Sequence, residues 1–126
     1  MTRDEETYFI RLMQAADADE LRAYFHLKSR SVNDAGIVRV EYDVTWRYDS
    51  GYLWIRFHPD PNAPSDIEED SPTPPPSNAR YPRKLLSAEM NVGFPTLIGL
   101  NRSPLELRIL ADHILDELDE SAGGNA

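Results

Sequence analysis

The side chains best suited to acid–base or metal chemistry are few in this sequence. It has three histidines and no cysteine, so a thiol nucleophile and a thiolate metal site are excluded. His58 and Asp60 stand two residues apart, but no third ligand with metal-site spacing accompanies them. His26 and His113 fall on predicted helices, where a solvated side chain is the simpler interpretation than a general base. We therefore expect no metal site and no cofactor.

Sequence motifs for catalysis or nucleotide binding are also missing. There is no glycine-rich phosphate loop, no serine nucleophile elbow and no serine beside a histidine. The acidic run from Asp66 to Asp70 lacks the ligand spacing and the glycine of a calcium loop, so it predicts a solvated segment. We assign no catalytic residue and expect a protein that is not an enzyme. A pair of catalytic carboxylates has no sequence signature, so a small hydrolase or transferase with a carboxylate site stays as an alternative.

Tyrosine, tryptophan and arginine side chains alternate with apolar ones between residues 37 and 58. These three residue types are enriched where proteins bind each other, because they bury large areas and carry hydrogen-bond donors. We therefore predict a binding surface on this segment. A self-contained ladder of ion pairs and stacked rings is an alternative that can coexist with it, and coverage of this face by helices is a third. The predicted binding residues are Arg47, Tyr52, Trp54 and Arg56.

A second candidate surface lies on the back of the C-terminal helix. On a helical wheel, Leu105 and Ile109 fall opposite the apolar stripe, on the same side as Asp112 and Asp116. Such a mostly acidic face would suit a basic partner, for example a protein groove that normally holds nucleic acid. The alternative is a solvated face whose first turn packs under the hairpin or the loop.

Two helices are predicted within residues 1–30. Apolar residues recur at spacings of three and four in the first of them, which is the pattern of an amphipathic helix. Asp17, with Glu20 three residues later, matches a capping box. The first helix is therefore expected to end near Ala16, and the second to run from there to about residue 30.

Strict alternation of apolar and polar residues over 37–58 predicts a β-hairpin. We expect the chain to turn from Tyr48 to Gly51, with Gly51 in a left-handed conformation. This register places Asp43 opposite Arg56 as an ion pair, on the face that carries Trp54. The apolar face of the hairpin is expected to be covered by the helices.

The rest of the chain completes an α+β fold. Residues 59–82 hold eight of the ten prolines and predict a mobile, acidic loop that contributes nothing to the core. One or two strands are expected within 85–100, followed by a helix that Ser103 caps and Pro104 begins. We thus predict one domain over 1–120 and a frayed tail over 121–126. Its small antiparallel sheet, the hairpin 37–58 plus the strands from 85–100, is packed by two N-terminal helices and one C-terminal helix.

Length and charge restrict the classes of function. The chain has 126 residues and a formal net charge of −9, so we expect no direct binding of duplex nucleic acid and no membrane association. No apolar run reaches the ~20 residues that span a bilayer. We therefore expect the protein to be cytoplasmic, either in the cell that produces it or in a host cell.

These observations favour a small acidic module that binds another protein. Acidic, cysteine-free domains without catalytic motifs are common among inhibitors from phages and mobile elements, including anti-CRISPR, anti-restriction and immunity proteins. Such an inhibitor would occlude a basic or nucleic-acid-binding surface of its partner. A structural or assembly component, forming a homodimer, a larger homo-oligomer or part of a phage particle, is the alternative that uses Leu105 and Ile109.

Shortening the segment 60–79 is expected to leave the fold intact. The segment has few apolar side chains to contribute to a core, and halving a loop changes its closure free energy by only about 0.6 kcal/mol. A thermal melt of the shortened protein, compared with wild type, measures this. A fall in melting temperature as large as that of a core variant such as Leu53→Ala would contradict it.

Overall fold

The α+β architecture is confirmed in a computed structural model, which describes residues 3–62, 82–92 and 105–119. The predicted loop beyond residue 62, the candidate strand within 93–100 and the tail lie outside the described residues. None of the described helices is long and apolar enough to cross a membrane. The elements, in chain order, are α1 (Arg3–Gln14), α2 (Ala18–Tyr24), β1 (Phe25–Val32), β2 (Val38–Trp46), β3 (Asp49–His58), β4 (Lys84–Val92) and α3 (Leu105–Leu118).

The four strands form one antiparallel sheet in the order β1-β2-β3-β4, so every strand pairs with its neighbour in sequence. Along β2 and β3, buried positions alternate with exposed or half-buried ones, as the sequence pattern predicts. The helices supply the rest of a single core on the buried face, which we call the inner face. Its residues on β2 to β4 are Val38, Val40, Tyr42, Val44, Trp46, Leu53, Ile55, Phe57, Leu85, Ala88, Met90 and Val92.

Strand β1 replaces the second half of the helix that we predicted up to residue 30. The capping box is confirmed, because Asp17 accepts a hydrogen bond from the Glu20 amide at 2.8 Å. The helix ends after about two turns, however, and the chain becomes extended at Phe25. Pairing with β2 supplies backbone hydrogen bonds that local helical periodicity could not anticipate. His26 therefore lies on a strand, not on a helix.

The hairpin of β2 and β3 turns earlier than predicted. Trp46 pairs with Asp49, so the loop contains only Arg47 and Tyr48. Arg47 has a φ of 58°, the left-handed conformation that two-residue hairpin loops require. The observed register differs from the predicted one by an even number of residues, so the side chains that remain in the paired strands keep their predicted faces. The predicted pair of Asp43 with Arg56 is wrong, because Asp43 lies opposite Tyr52.

Gly51 lies inside β3 and not in the turn where we expected it. It pairs with Val44 on one side and with Val92 on the other. A Cβ atom at this position would collide with the backbone carbonyl of Asn91, so the close approach of β4 requires glycine.

An aromatic cluster joins the N-terminal helices to the sheet. Phe9 of α1 lies 4.8 Å from the Trp46 ring and 5.8 Å from the Phe25 ring, between ring centroids. Tyr24 of α2 meets Trp46 edge to face at 5.4 Å. Four different elements thus share one apolar contact, and their relative positions depend on it.

Helix α3 packs against α1 as well as against the sheet. Arg11 and Glu106 form an ion pair at 2.6 Å, and the His113 Nε2 atom lies 2.5 Å from the carbonyl oxygen of Ala16. His113 is therefore held at a helix junction and is not the solvated side chain that we expected. The predicted apolar stripe is confirmed by its burial, which is complete or partial at Leu107, Leu110, Ala111, Ile114, Leu115 and Leu118.

Replacing Gly51 by alanine is expected to lower the free energy of unfolding by about 1–3 kcal/mol, since β3 and β4 must separate to admit the methyl group. The matched control is Ser50→Ala, one residue earlier on the same strand and exposed. Denaturant unfolding of the two variants provides the measurement. Equal stability of Gly51→Ala and Ser50→Ala would contradict the close packing of these strands.

Candidate functional site

The face of the sheet opposite the core carries polar and aromatic side chains that are exposed or half-buried. We call it the outer face. Because helix side chains join the inner-face residues in one core, the three described helices lie on the other side. The outer face therefore matches the predicted location of Tyr52, Trp54 and Arg56. Its residues on β2 to β4 are Arg39, Glu41, Asp43, Tyr52, Trp54, Arg56, Ser87, Glu89 and Asn91.

Trp54 lies at the centre of the outer face. It stands between Glu41 on β2 and Glu89 on β4. The Arg39 guanidinium lies over its ring, 5.0 Å from the centroid, and also donates to Glu41 at 3.2 Å. This cation–π contact contributes about 0.5–1 kcal/mol at a partly exposed site. One face of the Trp54 ring is thus in contact with Arg39 of the same chain.

Tyr52 is fixed in the next row of the outer face. Its hydroxyl donates to Glu89 at 2.6 Å. That hydrogen bond, with lesser contributions from burial and from the carboxylate charge, raises the pKa of Tyr52 to about 12. The phenol therefore remains a donor at neutral pH. The ladder of stacked and hydrogen-bonded side chains that we considered as an alternative is present in these two rows.

The third row of the outer face places like charges together. Arg39 lies directly opposite Arg56, an arrangement that is unfavourable across two strands. Within the described part of the chain, Arg56 has neither an ion pair nor a side-chain hydrogen bond, and the Ser87 Oγ atom opposite it is buried without a partner. Donors at this end of the face therefore have unused hydrogen-bonding capacity.

Arg47 does not lie on the outer face. It belongs to the two-residue turn, and its guanidinium stacks over Trp46, 5.0 Å from the ring centroid. One of its nitrogens is 3.9 Å from the Glu5 carboxylate of α1. Arg47 therefore lies at the end of the core, away from Tyr52, Trp54 and Arg56, with which we grouped it as a binding residue.

The acidic residues predicted on the back of α3 are turned inward. Asp112 and Asp116 both bind Arg83, which immediately precedes β4, and all three side chains are at most 3% exposed. The Arg83 Nη2 atom lies 2.5 Å from Asp116. Burial raises the pKa of Asp112, while the charge of Arg83 opposes that shift. These carboxylates are paired inside the protein and do not form a surface for a basic partner.

The other members of that candidate surface are not brought together either. Ile109 is half-buried, and the side chain of Leu105 lies outside the described residues. Asp119, one turn beyond Asp116, is also buried and binds Arg30 of β1 at 3.2 Å. The helical wheel could not show that Arg83 and Arg30 pair with the carboxylates on this side of α3.

Sequence reasoning missed the β4 contribution to the outer face. Ser87, Glu89 and Asn91 alternate with buried Ala88, Met90 and Val92, a period-two signal that could have identified them. Nothing in the sequence singles out Arg83, because its carboxylate partners are 29 and 33 residues away.

Removal of the Arg83 charge is expected to be strongly destabilising. Arg83→Met removes the cation that binds two buried carboxylates, which costs about 3–5 kcal/mol of unfolding free energy. Arg56→Met, at a half-buried position on the sheet surface, is the matched control and should change it by less than about 0.5 kcal/mol. Denaturant unfolding of both variants measures the difference, and equal stabilities would show that the Arg83 cluster does not support the fold.

Within residues 3–62, 82–92 and 105–119, no three His, Asp or Glu side chains are grouped so that they could hold a metal ion. Comparison of the chain with protein-family models, with curated proteins and with solved structures found no match. The function therefore has to be inferred from the chemistry of the residues themselves.

Proposed function

We propose that the protein is a non-enzymatic binding module that engages another protein through the outer face of its sheet, with Trp54 at the centre. The observation that carries this proposal is the position of Trp54, in the middle of a strand on the face opposite the core. A large aromatic side chain in such a place gains free energy when a partner covers it.

The chemistry around Trp54 supports the same interpretation. Arg39 is paired with Glu41, whereas Arg56 directly opposite has no ion pair within the described residues. An acceptor oxygen from a partner, such as a carboxylate or a backbone carbonyl, would accept hydrogen bonds from the Arg56 guanidinium and offset its repulsion with Arg39. The face thus combines an aromatic anchor with donors, which is the composition of a binding hot spot.

The specific form of this proposal is an inhibitor from a phage or another mobile element, acting in the cytoplasm. It rests on the small size, the net charge of −9 and the absence of cysteine. We no longer propose that the acidic side of α3 binds a basic groove, because Asp112 and Asp116 are paired with Arg83. The partner is instead expected to present an apolar group with a neighbouring acceptor.

Trp54→Ala is expected to weaken partner binding by about 2 kcal/mol or more, the usual threshold of a hot spot. The fold should survive, because the ring is only half-buried and contributes to no core contact. Wild-type protein is used to capture the partner from the source cell, mass spectrometry identifies it, and calorimetry with the purified partner gives the affinity of each variant. Thermal melting of the same samples reports the fold.

The matched control is Tyr48→Ala, which removes a fully exposed aromatic ring at the tip of the hairpin. This control should leave the affinity unchanged. A stable Trp54→Ala protein that binds its partner as tightly as wild type would contradict the proposal. Capture of the chain's own copies alone, with a dimer in sedimentation, would favour the assembly function instead.

A further inference from the structure

A cavity of about 360 Å³ lies between α2, β1, β2 and the C-terminal end of α3. It is on the inner side of the sheet and is therefore separate from the outer face. Its apolar lining includes Phe25, Val40 and Leu118, and the exposed Leu27 stands at its edge. Ligand sites in proteins have volumes of roughly 300–1,000 Å³ and mostly apolar linings with a few polar groups, so the cavity falls at the lower end of that range.

The most informative polar group in the cavity is the hydroxyl of Tyr42. The residue is only 2% exposed, yet no described residue forms a hydrogen bond with this hydroxyl. The hydroxyl is therefore available for a hydrogen bond with a group inside the cavity. Burial, aided by the charge of Asp119 and opposed by that of Arg30, raises the pKa of Tyr42. The phenol is thus un-ionised and able to donate.

The remaining polar groups of the cavity are also mainly donors. Arg30 binds Asp119 through two nitrogens, at 3.2 and 3.4 Å, which occupies both carboxylate oxygens but leaves further guanidinium N–H groups. Arg22 also lines the cavity, and it donates from one nitrogen to the exposed Asp19. His26 is the remaining polar residue of the lining. Each guanidinium group is thus paired with one carboxylate, and an acceptor oxygen inside the cavity would use the N–H groups that these pairs leave over.

We propose that this cavity binds a small carboxylate with an apolar body. The carboxylate accepts hydrogen bonds from the Tyr42 hydroxyl and from the free N–H groups of Arg30, and the apolar body packs on Phe25 and Leu118. This inference does not depend on the proposed protein-binding function, because it uses none of the outer-face residues.

The test is an NMR titration of the isotope-labelled full chain with phenylacetate, and with phenylacetamide as the neutral analogue. Phenylacetate is expected to cause saturable shifts at the Arg30 Nε–H and at the Leu118 methyl groups, with no shifts at Trp54. Phenylacetamide should bind about tenfold more weakly or worse, because hydrogen bonds to a charged acceptor are roughly twice as strong.

Tyr42→Phe removes only the hydroxyl and should weaken phenylacetate binding about five- to tenfold. Its melting temperature should stay close to that of wild type, since the hydroxyl has no hydrogen bond with a described residue to lose. The matched control is Tyr52→Phe, which removes a hydroxyl from the opposite face of the sheet and should leave phenylacetate binding unchanged.

A second variant tests the rim of the cavity without leaving an unpaired charge. Arg30→Gln combined with Asp119→Asn should abolish the preference for phenylacetate over phenylacetamide. Absence of saturable shifts at millimolar phenylacetate, equal binding of both compounds to wild type, or unchanged binding by Tyr42→Phe would each overturn the proposal.

Discussion

The helices that the structure describes cover one face of the sheet, and most other features depend on that asymmetry. Burying one face of an antiparallel sheet requires apolar side chains at every second position, which β2 provides along its length and β3 provides from Leu53 to Phe57. The aromatic cluster of Phe9, Tyr24, Phe25 and Trp46 anchors α1 and α2 to that face. The opposite face is then left to polar and aromatic side chains, whose arrangement is not determined by core packing and can serve recognition.

The outer face is stabilised unevenly along its length. The rows of Tyr52 and Trp54 are held by Glu89, Glu41 and the stacked Arg39, so they are ordered without a partner. The row of Arg39 and Arg56 is less well satisfied, because the two guanidinium groups face each other and the buried Ser87 hydroxyl has no partner among the described residues. Glu41 offsets the charge of Arg39, and Arg56 has no such ion pair in the described part of the chain.

Helix α3 is positioned by charges as well as by its apolar stripe. Arg83 binds two carboxylates one turn apart, and Arg30 binds a third at the end of the helix. Buried ion pairs contribute little net stability but penalise any packing that separates them, so they select one position of α3 against the sheet. They also explain why a chain with a net charge of −9 does not present its most acidic helix as an open acidic surface.

Local sequence patterns alone determined the type of most elements. The capping box of Asp17, the alternation over 37–58 and the apolar stripe of α3 are all visible in the spacing of residues. They are visible because side chains return to the same face at a fixed interval, which differs between a helix and a strand. They placed Tyr52, Trp54 and Arg56 on one face, since an even shift of register changes partners but not faces. Only the tertiary structure decided that residues 25–32 form a strand, that Arg56 meets Arg39 instead of Asp43, and that Arg83 and Arg30 cover the acidic side of α3. Each of these features depends on contact with a residue distant in sequence. Such a contact does not change the spacing of apolar and polar residues in either segment, so the sequence pattern does not reveal it.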